Sequence, residues 1–120
     1  MENNSDAKLL RIFIEESDKA GHQPLYEAIV FAAKKQALSG ATVTRGLMGF
    51  GANSIVHTSK LFEISVDLPL VIEIVDTDEK IRNFITIIEK LFEESKSGGL
   101  ITIEKAEVIR YKAGIKRDRK

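Results

Sequence analysis

Hydrophobic and polar residues alternate in several short runs of this chain, which is the pattern of β-strands. Four runs are predicted as strands: "KLLRIFIEE" at 8–16, "ATVTRGLM" at 41–48, "DLPLVIEIV" at 67–75 and "LITIEKAEVIRY" at 100–111. The run at 67–75 is apolar on both faces, which predicts burial of both faces. The helices of so short a chain cover only one face of a sheet, so we expect the other face to meet another subunit. "GATVT", at 40–44, is also predicted as a buried strand.

Two segments instead place their apolar residues at helical spacing. The first, "PLYEAIVFAAKKQAL" at 24–38, has Pro24 suited to a first turn and Gly40 where a helix usually stops. Its apolar positions are Leu25, Ile29 and Ala32. The segment at 17–23, "SDKAGHQ", is predicted as a loop before this helix.

The second helical segment, "DTDEKIRNFITIIEKLFEES" at 76–95, has the clearest pattern in the chain. Asp76 and Glu79 form a plausible capping box, and Gly98-Gly99 is expected to end the helix. Its apolar stripe consists of Ile81, Phe84, Ile85, Ile88, Leu91 and Phe92.

The order strand, helix, strand, strand, helix, strand predicts an α+β, ferredoxin-like sandwich: one antiparallel sheet with two helices on one face. We expect a disordered N-terminus at 1–7, one domain at 8–112 and a basic tail at 113–120. The fold by itself does not indicate a function.

Composition narrows the function classes. The chain has 120 residues, and its 18 basic and 18 acidic side chains give a net charge of zero, so bulk charge does not favour nucleic acid as a partner. It contains no cysteine, which excludes disulfides and thiolate metal sites. No apolar run approaches the length needed to span a bilayer, and the expected location is cytoplasmic.

A glycine-rich segment, "RGLMGFGANSIVH" at 45–57, follows the second predicted strand. Gly46, Gly49 and Gly51 permit sharp turns and close approach to backbone N–H groups, as a phosphate or an adenine would need. A β-bulge or a long hairpin, in which glycine only relieves strain, is the alternative. The connection at about 49–66 is too long for a simple hairpin, and loops of that length tend to be functional or disordered.

Other polar residues do not form a catalytic or metal-binding pattern. His22 and His57 lack the spacing of metal ligands, and no nucleophile has a base and an orienting group, so we do not expect an enzyme. Arg45 and Glu73, both in predicted strands, are expected to pair at a subunit interface. Asp76 is explained as a helix cap.

Three stretches resemble the PII-like signalling superfamily, whose members are trimers of ferredoxin-like subunits that bind adenine nucleotides between neighbouring subunits. They are "VTRGLMGFG" at 43–51, "DLPLVIEIVD" at 67–76 and "GGLITIEKAEVIRYKAG" at 98–114. They are similar to the strand entering the flexible T-loop, the strand returning from it, and the B-loop, last strand and C-loop. With "LYEAIV" at 25–30, the chain looks most like an uncharacterised branch, the domain of unknown function 190 family.

The resemblance implies a nucleotide site made of two glycine turns and two cations. Its residues would be Gly49, Phe50, Gly51, Ala52 and Asn53 at the base of a T-loop at about 49–66, Gly98 and Gly99 in the B-loop, and the basic residues Arg110 and Lys112. Glycine-turn N–H groups and guanidinium groups suit phosphate oxygens.

Two departures from the PII pattern change the expected ligand and its control. The lysine that follows the B-loop glycines in signalling PII proteins is replaced by Gly99, so AMP or ADP is favoured over ATP. The T-loop is shorter, and Glu63 lies near the position of the tyrosine that is uridylylated in some PII proteins, which argues against that modification.

The implied function is that of a homotrimeric regulator that needs no cofactor, binds an adenine nucleotide and signals through its T-loop to a partner such as a membrane transporter or channel. Two alternatives stay open. One is a binding module of the same fold for a divalent metal or a cyclic dinucleotide, although the lack of cysteine and the scarcity of histidine count against the metal. The other, ranked lower, is a small nucleotide-processing enzyme.

Overall fold

The computed structural model describes residues 6–53, 56–58 and 67–115. Ten elements follow one another along the chain: β1 (Ala7–Glu15), β2 (Lys19–Ala20), β3 (Gln23–Pro24), α1 (Leu25–Lys35), β4 (Thr42–Arg45), β5 (Met48–Gly49), β6 (His57–Thr58), β7 (Pro69–Thr77), α2 (Asp78–Ser95) and β8 (Leu100–Lys105). Residues 1–5, 54–55, 59–66 and 116–120 lie outside the described residues. Three predictions therefore lie wholly or partly outside the described residues: the first part of the disordered N-terminus, most of the T-loop with Glu63, and the end of the basic tail.

The main sheet has four strands in the order β4-β7-β1-β8, all antiparallel to their neighbours. The two longest strands, β1 and β7, lie at the centre, and β4 and β8 form opposite edges. Both helices pack on one face of this sheet, because buried residues of α1 and α2 share one core cluster with buried residues of β1 and β7. This confirms the predicted α+β, ferredoxin-like architecture.

The core lies between the sheet and the two helices. Alternate residues of β1 and β7 point into it, as the period-two pattern predicts. The buried residues that these strands and helices contribute to the core cluster are Leu10, Ile12, Ile14, Leu25, Ile29, Ala33, Leu70, Ile72, Ile74, Ile81, Phe84 and Ile88. On α1, Ala33 rather than the predicted Ala32 is the most buried residue of the last turn, and Ala32 packs beside it half-buried.

The helix ends differ from the predictions. Pro24 is the N-cap of α1 rather than part of its first turn, and Ala37, not Gly40, has the left-handed conformation (φ 58°) after the helix. Thr77, not Asp76, caps α2: its hydroxyl accepts a hydrogen bond from the Lys80 N–H at 3.4 Å. The glycines at 98 and 99 do not end α2, because Lys96 already adopts the left-handed conformation (φ 57°).

Predictions for four other segments are also corrected. The predicted loop at 17–23 contains a small hairpin of β2 and β3, whose two-residue turn begins with Gly21 at a positive φ of 65°. The predicted strand at 41–48 divides into β4 and β5, and β4 is an edge strand with mostly exposed side chains rather than a buried one. The last strand ends at Lys105 and does not extend to 111. At the N-terminus, Ala7 is fully buried in β1, so the predicted disordered segment at 1–7 ends too late.

The face of the sheet away from the helices carries half-buried apolar residues around an ion-paired arginine. Arg11 Nε donates to Glu73 Oε2 at 2.8 Å, and its Nη1 also pairs with Glu104. Hydrogen bonding to Glu73 is the main reason that the pKa of Arg11 is raised; its charge is therefore held across the ordinary pH range. Arg45 pairs with Glu16 instead, so the predicted pairing of Arg45 with Glu73 is not seen within the chain.

Candidate functional site

The first group of candidate residues, Gly49 to Asn53, lies at the β4 edge of the sheet. Gly49 ends β5 and pairs with His57 in β6, which makes a two-residue ladder at the base of the predicted T-loop. Phe50 is 70% exposed, and the three residues after it are also exposed. The backbone of this turn is therefore open to an external group.

Packing against Pro69 explains why two positions near this turn, 46 and 49, are glycine. A Cβ at Gly46 would lie 2.9 Å from Cγ of Pro69, and one at Gly49 would lie 3.2 Å from the same atom. Gly51 differs, because a Cβ there would meet nothing within 4 Å. The packing of the described chain thus explains glycine at 46 and 49 but not at 51.

The second group, Gly98 and Gly99, precedes β8 at the other edge. A Cβ at Gly99 would lie 2.7 Å from Cε1 of Phe92 and 3.1 Å from the carbonyl oxygen of Phe13. A Cβ at Gly98 would meet nothing within 4 Å. Each of the two turns therefore combines a glycine required by packing with one that packing leaves unexplained.

The strand register brings the two turns to the same end of the sheet. Leu100, just after Gly99, pairs with Phe13, which pairs with Val71, which pairs with Thr44 near the start of the first turn. Three strand spacings of about 4.8 Å separate the edge strands, which is about 14 Å in all. The chain thus holds the two turns level with each other but on opposite edges.

The two predicted cations lie near the other end of the sheet. Arg110 and Lys112 are exposed, and Tyr111 between them donates its hydroxyl hydrogen to the carbonyl oxygen of Ser39 at 2.7 Å. The Ser39 hydroxyl donates a hydrogen bond to the carbonyl oxygen of Val75 on β7. The first glycine turn follows Arg45, which pairs with Leu70 on the same strand. These two levels are five residues apart on β7, or about 17 Å. A single chain therefore does not bring the cations and the glycine turns together.

The residues that flank the predicted T-loop are held by contacts that the sequence does not indicate. Arg45, before the loop, donates to Glu16 Oε2 through Nε at 3.1 Å and Nη2 at 2.7 Å. Asp67, after the loop, accepts from the N–H (2.8 Å) and hydroxyl (2.7 Å) of Ser17. Both ends of the segment are thus bound to one turn after β1. The local sequence "ESDK" gives no signal for this, because both contacts are long-range.

The other polar groups do not form a second site. Across the described ranges, no three His, Asp or Glu side chains are grouped so as to hold a metal ion. His22 is exposed on the β2–β3 turn. Asp67 and Asp76 are both engaged by backbone N–H groups, and Glu73 is paired with Arg11. Within the same part of the chain, no helix is both long and apolar enough to cross a membrane.

Comparison of the sequence with protein families gives one matching family over most of the chain. The family described as DUF190, an uncharacterised ACR, matches residues 7–108. A UPF0166 protein of Aquifex aeolicus is 41% identical over 102 residues, which is 85% of this chain and 92% of that protein. A UPF0166 protein of Methanocaldococcus jannaschii is 37% identical over 102 residues, 85% of this chain and 91% of that protein.

Comparison of the fold identifies a PII-like protein among similar solved structures. CPII, a nitrogen regulatory PII-like protein from Thiomonas intermedia K12, superposes with a TM-score of 0.63 at 19% identity. The match covers 87% of this chain and 89% of that one. The solved CPII structure contains ADP, AMP and bicarbonate. At this level of identity the likeness establishes a PII-like fold.

Proposed function

This chain belongs to the DUF190 family, and we propose that it is a PII-like regulatory protein that binds an adenine nucleotide in clefts between three identical subunits. The nucleotide would contact the glycine turns at 49–53 and 98–99 and, through its phosphates, Arg110 and Lys112. Binding would shift the T-loop between conformations that a partner, such as a membrane transporter or channel, distinguishes.

The observation that carries this proposal is the pair of glycines without a packing role. Gly51 and Gly98 lie in two turns at the same end of the sheet, and neither has a neighbour within 4 Å of a would-be Cβ. Bare backbone of this kind admits a ligand close to its N–H groups. The presence of ADP and AMP in CPII, a protein of similar fold, supports an adenine nucleotide as that ligand.

The separation of the candidate residues supports a site shared between subunits. The two turns lie on opposite edges and the cations near the other end of the sheet, so one chain offers only parts of a site. A head-to-tail ring of copies would place one edge against the opposite edge of the next copy. The apolar residues on the uncovered face of the sheet support the same assembly.

The phosphate contacts set the expected ligand preference. Gly99 stands where signalling PII proteins have a lysine, and its place is already filled by the Phe92 ring. No cation therefore comes from this position, and AMP or ADP should bind more tightly than ATP. Calorimetry with AMP, ADP, ATP, cyclic di-AMP and divalent metals tests this order. Metal or cyclic di-AMP binding without any adenine mononucleotide binding would contradict the proposal and favour the alternative binding module.

Arg110→Ala is expected to weaken ADP binding and leave the assembly intact. A hydrogen bond to a charged group is worth about 1.5–3 kcal/mol, so the affinity should fall roughly 10- to 150-fold. Isothermal titration calorimetry measures the affinity, and light scattering measures the assembled mass. Arg82→Ala is the matched control, because Arg82 is also an exposed arginine but pairs with Asp78 on α2. Equal ADP affinity in both variants would remove Arg110 from the site.

A further inference from the structure

The segment after β8 carries both candidate cations but has no helix or strand of its own. Residues 106–115 follow Lys105 without regular secondary structure. At its start, the Ala106 N–H donates to the carbonyl oxygen of Ala7 at 3.0 Å. Further along, the hydroxyl of Tyr111 reaches the carbonyl oxygen of Ser39 at 2.7 Å. The segment thus runs from the β8 edge, past the start of β1, to the connection between α1 and β4.

The acceptor of the Tyr111 hydroxyl is itself rigidly held. The Ser39 N–H donates to Asp76 Oδ2 at 2.8 Å, and the Ser39 hydroxyl donates to the carbonyl oxygen of Val75. Asp76 is only 1% exposed, and its other oxygen accepts from the Thr77 N–H at 2.7 Å. Ser39 is therefore fixed to the end of β7, and a side chain bonded to it takes a fixed place relative to the sheet.

We propose that Tyr111 is a positioning residue for the nucleotide phosphates: its hydroxyl holds the segment that presents Arg110 and Lys112. This inference rests on the proposed function. Tyr111 is 47% exposed, so burial accounts for only part of its placement, and its hydroxyl donates a hydrogen bond to the carbonyl oxygen of Ser39. Arginine and lysine side chains are costly to order, and a backbone fixed in advance lowers the cost of ordering them on a ligand.

The chemical class that this arrangement recognises is a nucleoside phosphate rather than a nucleoside. The residues on either side of Tyr111, Arg110 and Lys112, are both exposed cations, and two nearby positive charges favour the anionic phosphates over the neutral base and sugar. Fixing them should therefore affect the phosphate part of the ligand. The affinity for a ligand without phosphate should not depend on the Tyr111 hydroxyl.

Tyr111→Phe removes the hydroxyl and keeps the ring. We expect amide hydrogen exchange to become faster in peptides covering 106–115 and to stay unchanged in β1 and β7. ADP affinity should fall about three- to tenfold, the range that the net worth of one hydrogen bond allows. Adenosine affinity should not change. Tyr26→Phe, at the other tyrosine of the chain, is the matched control and should leave all of these quantities unchanged.

The outcomes separate this inference from the proposed function. If wild-type protein binds ADP and Tyr111→Phe binds it equally well, the positioning role is overturned while the nucleotide site stands. If ADP and adenosine are weakened to the same extent, Tyr111 does not act through the phosphates, and the role is again overturned. If the wild-type protein binds no adenine nucleotide, the proposed function fails and the positioning role fails with it.

Discussion

Gly99 shows how one position can be restricted by packing and also lie in a candidate site. The Phe92 ring on α2 occupies the space in which a side chain at 99 would begin, with Cε1 and Cζ at 2.7 and 2.9 Å from a would-be Cβ. The Phe13 carbonyl oxygen limits the space from the side of β1, at 3.1 Å. Glycine at 99, though not at 98, is therefore required by the contact between α2 and the sheet.

Gly99→Ala is expected to destabilise the protein. The added methyl group forces the ring or the strand to move, and overpacking of this kind costs about 1–3 kcal/mol. Urea unfolding followed by circular dichroism measures the loss. Gly98→Ala is the control: its Cβ meets open space and its φ is not positive, so its stability should be unchanged or slightly higher. Equal losses in both variants would show that the contact with Phe92 is not the cause.

At the scale of elements, periodicity predicted the sheet and both helices but not where they end. The alternation in β1 and β7 and the stripe of α2 survive in the structure because burial against a single core selects one face of each element. Ends depend on single residues. Ala37 and Lys96 take left-handed conformations that are usual for glycine, and the hydrogen bonds of the helix ends stabilise them there.

The role of Asp76 could not be predicted from its neighbours in the sequence, because it depends on a residue far away along the chain. "DTDE" offers two possible caps in consecutive positions, and the first is removed from that role by a contact with the distant Ser39 N–H. Asp76 instead joins three elements: the connection after α1, the end of β7 and the start of α2. A carboxylate in this position needs donors that only the folded chain brings to it.

Asp76→Ala is expected to lower the free energy of unfolding by about 1–3 kcal/mol, since it leaves the partly buried N–H groups of Ser39 and Thr77 without their acceptor. Differential scanning calorimetry or urea unfolding checks this. Arg82→Ala, which breaks an exposed pair on α2, should cost less than about 0.5 kcal/mol. If the two variants lose similar stability, Asp76 does not join these elements as described.

At the scale of the whole molecule, the face of the sheet away from the helices is a surface that neither helix covers. Leu9, Phe13, Val71 and Val75 are half-buried on it, and Arg11 lies among them with both of its glutamates. The segment 67–75 is apolar on both faces, and the helices cover one of these faces. The proposed trimer would cover the other side.

Val71→Glu is expected to reduce the assembled mass, because it places an unpaired charge on a central strand of the face that the neighbouring copies would cover. Light scattering coupled to size-exclusion chromatography measures the mass, and circular dichroism checks that the fold is kept. Phe31→Glu is the control: Phe31 is 58% exposed on α1, away from this face. A wild-type protein that is already monomeric, or an unchanged mass in Val71→Glu, would contradict the assembly.

The candidate site was predictable only in part. The glycine turns and basic residues were identified from resemblance, and their assembly into one site stays a prediction. Tyr111, Ser39 and the turn at 16–17 have no signal in the sequence, because each acts through a partner far away along the chain. Arg110 was expected on a strand, but pairing of β8 with β1 ends at Lys105, opposite Lys8 near the start of β1.

The fastening of residues 45 and 67 to adjacent residues after β1 has a consequence for the length of the stretch between them. Glu16 and Ser17, which are adjacent, bond Arg45 and Asp67 and so hold the two ends of the stretch at a set separation. Loop-closure entropy rises by only about 0.6 kcal/mol for each doubling of length. A change in the length of this stretch should therefore cost little stability, whereas Gly46 and Gly49 stay restricted by their contact with Pro69.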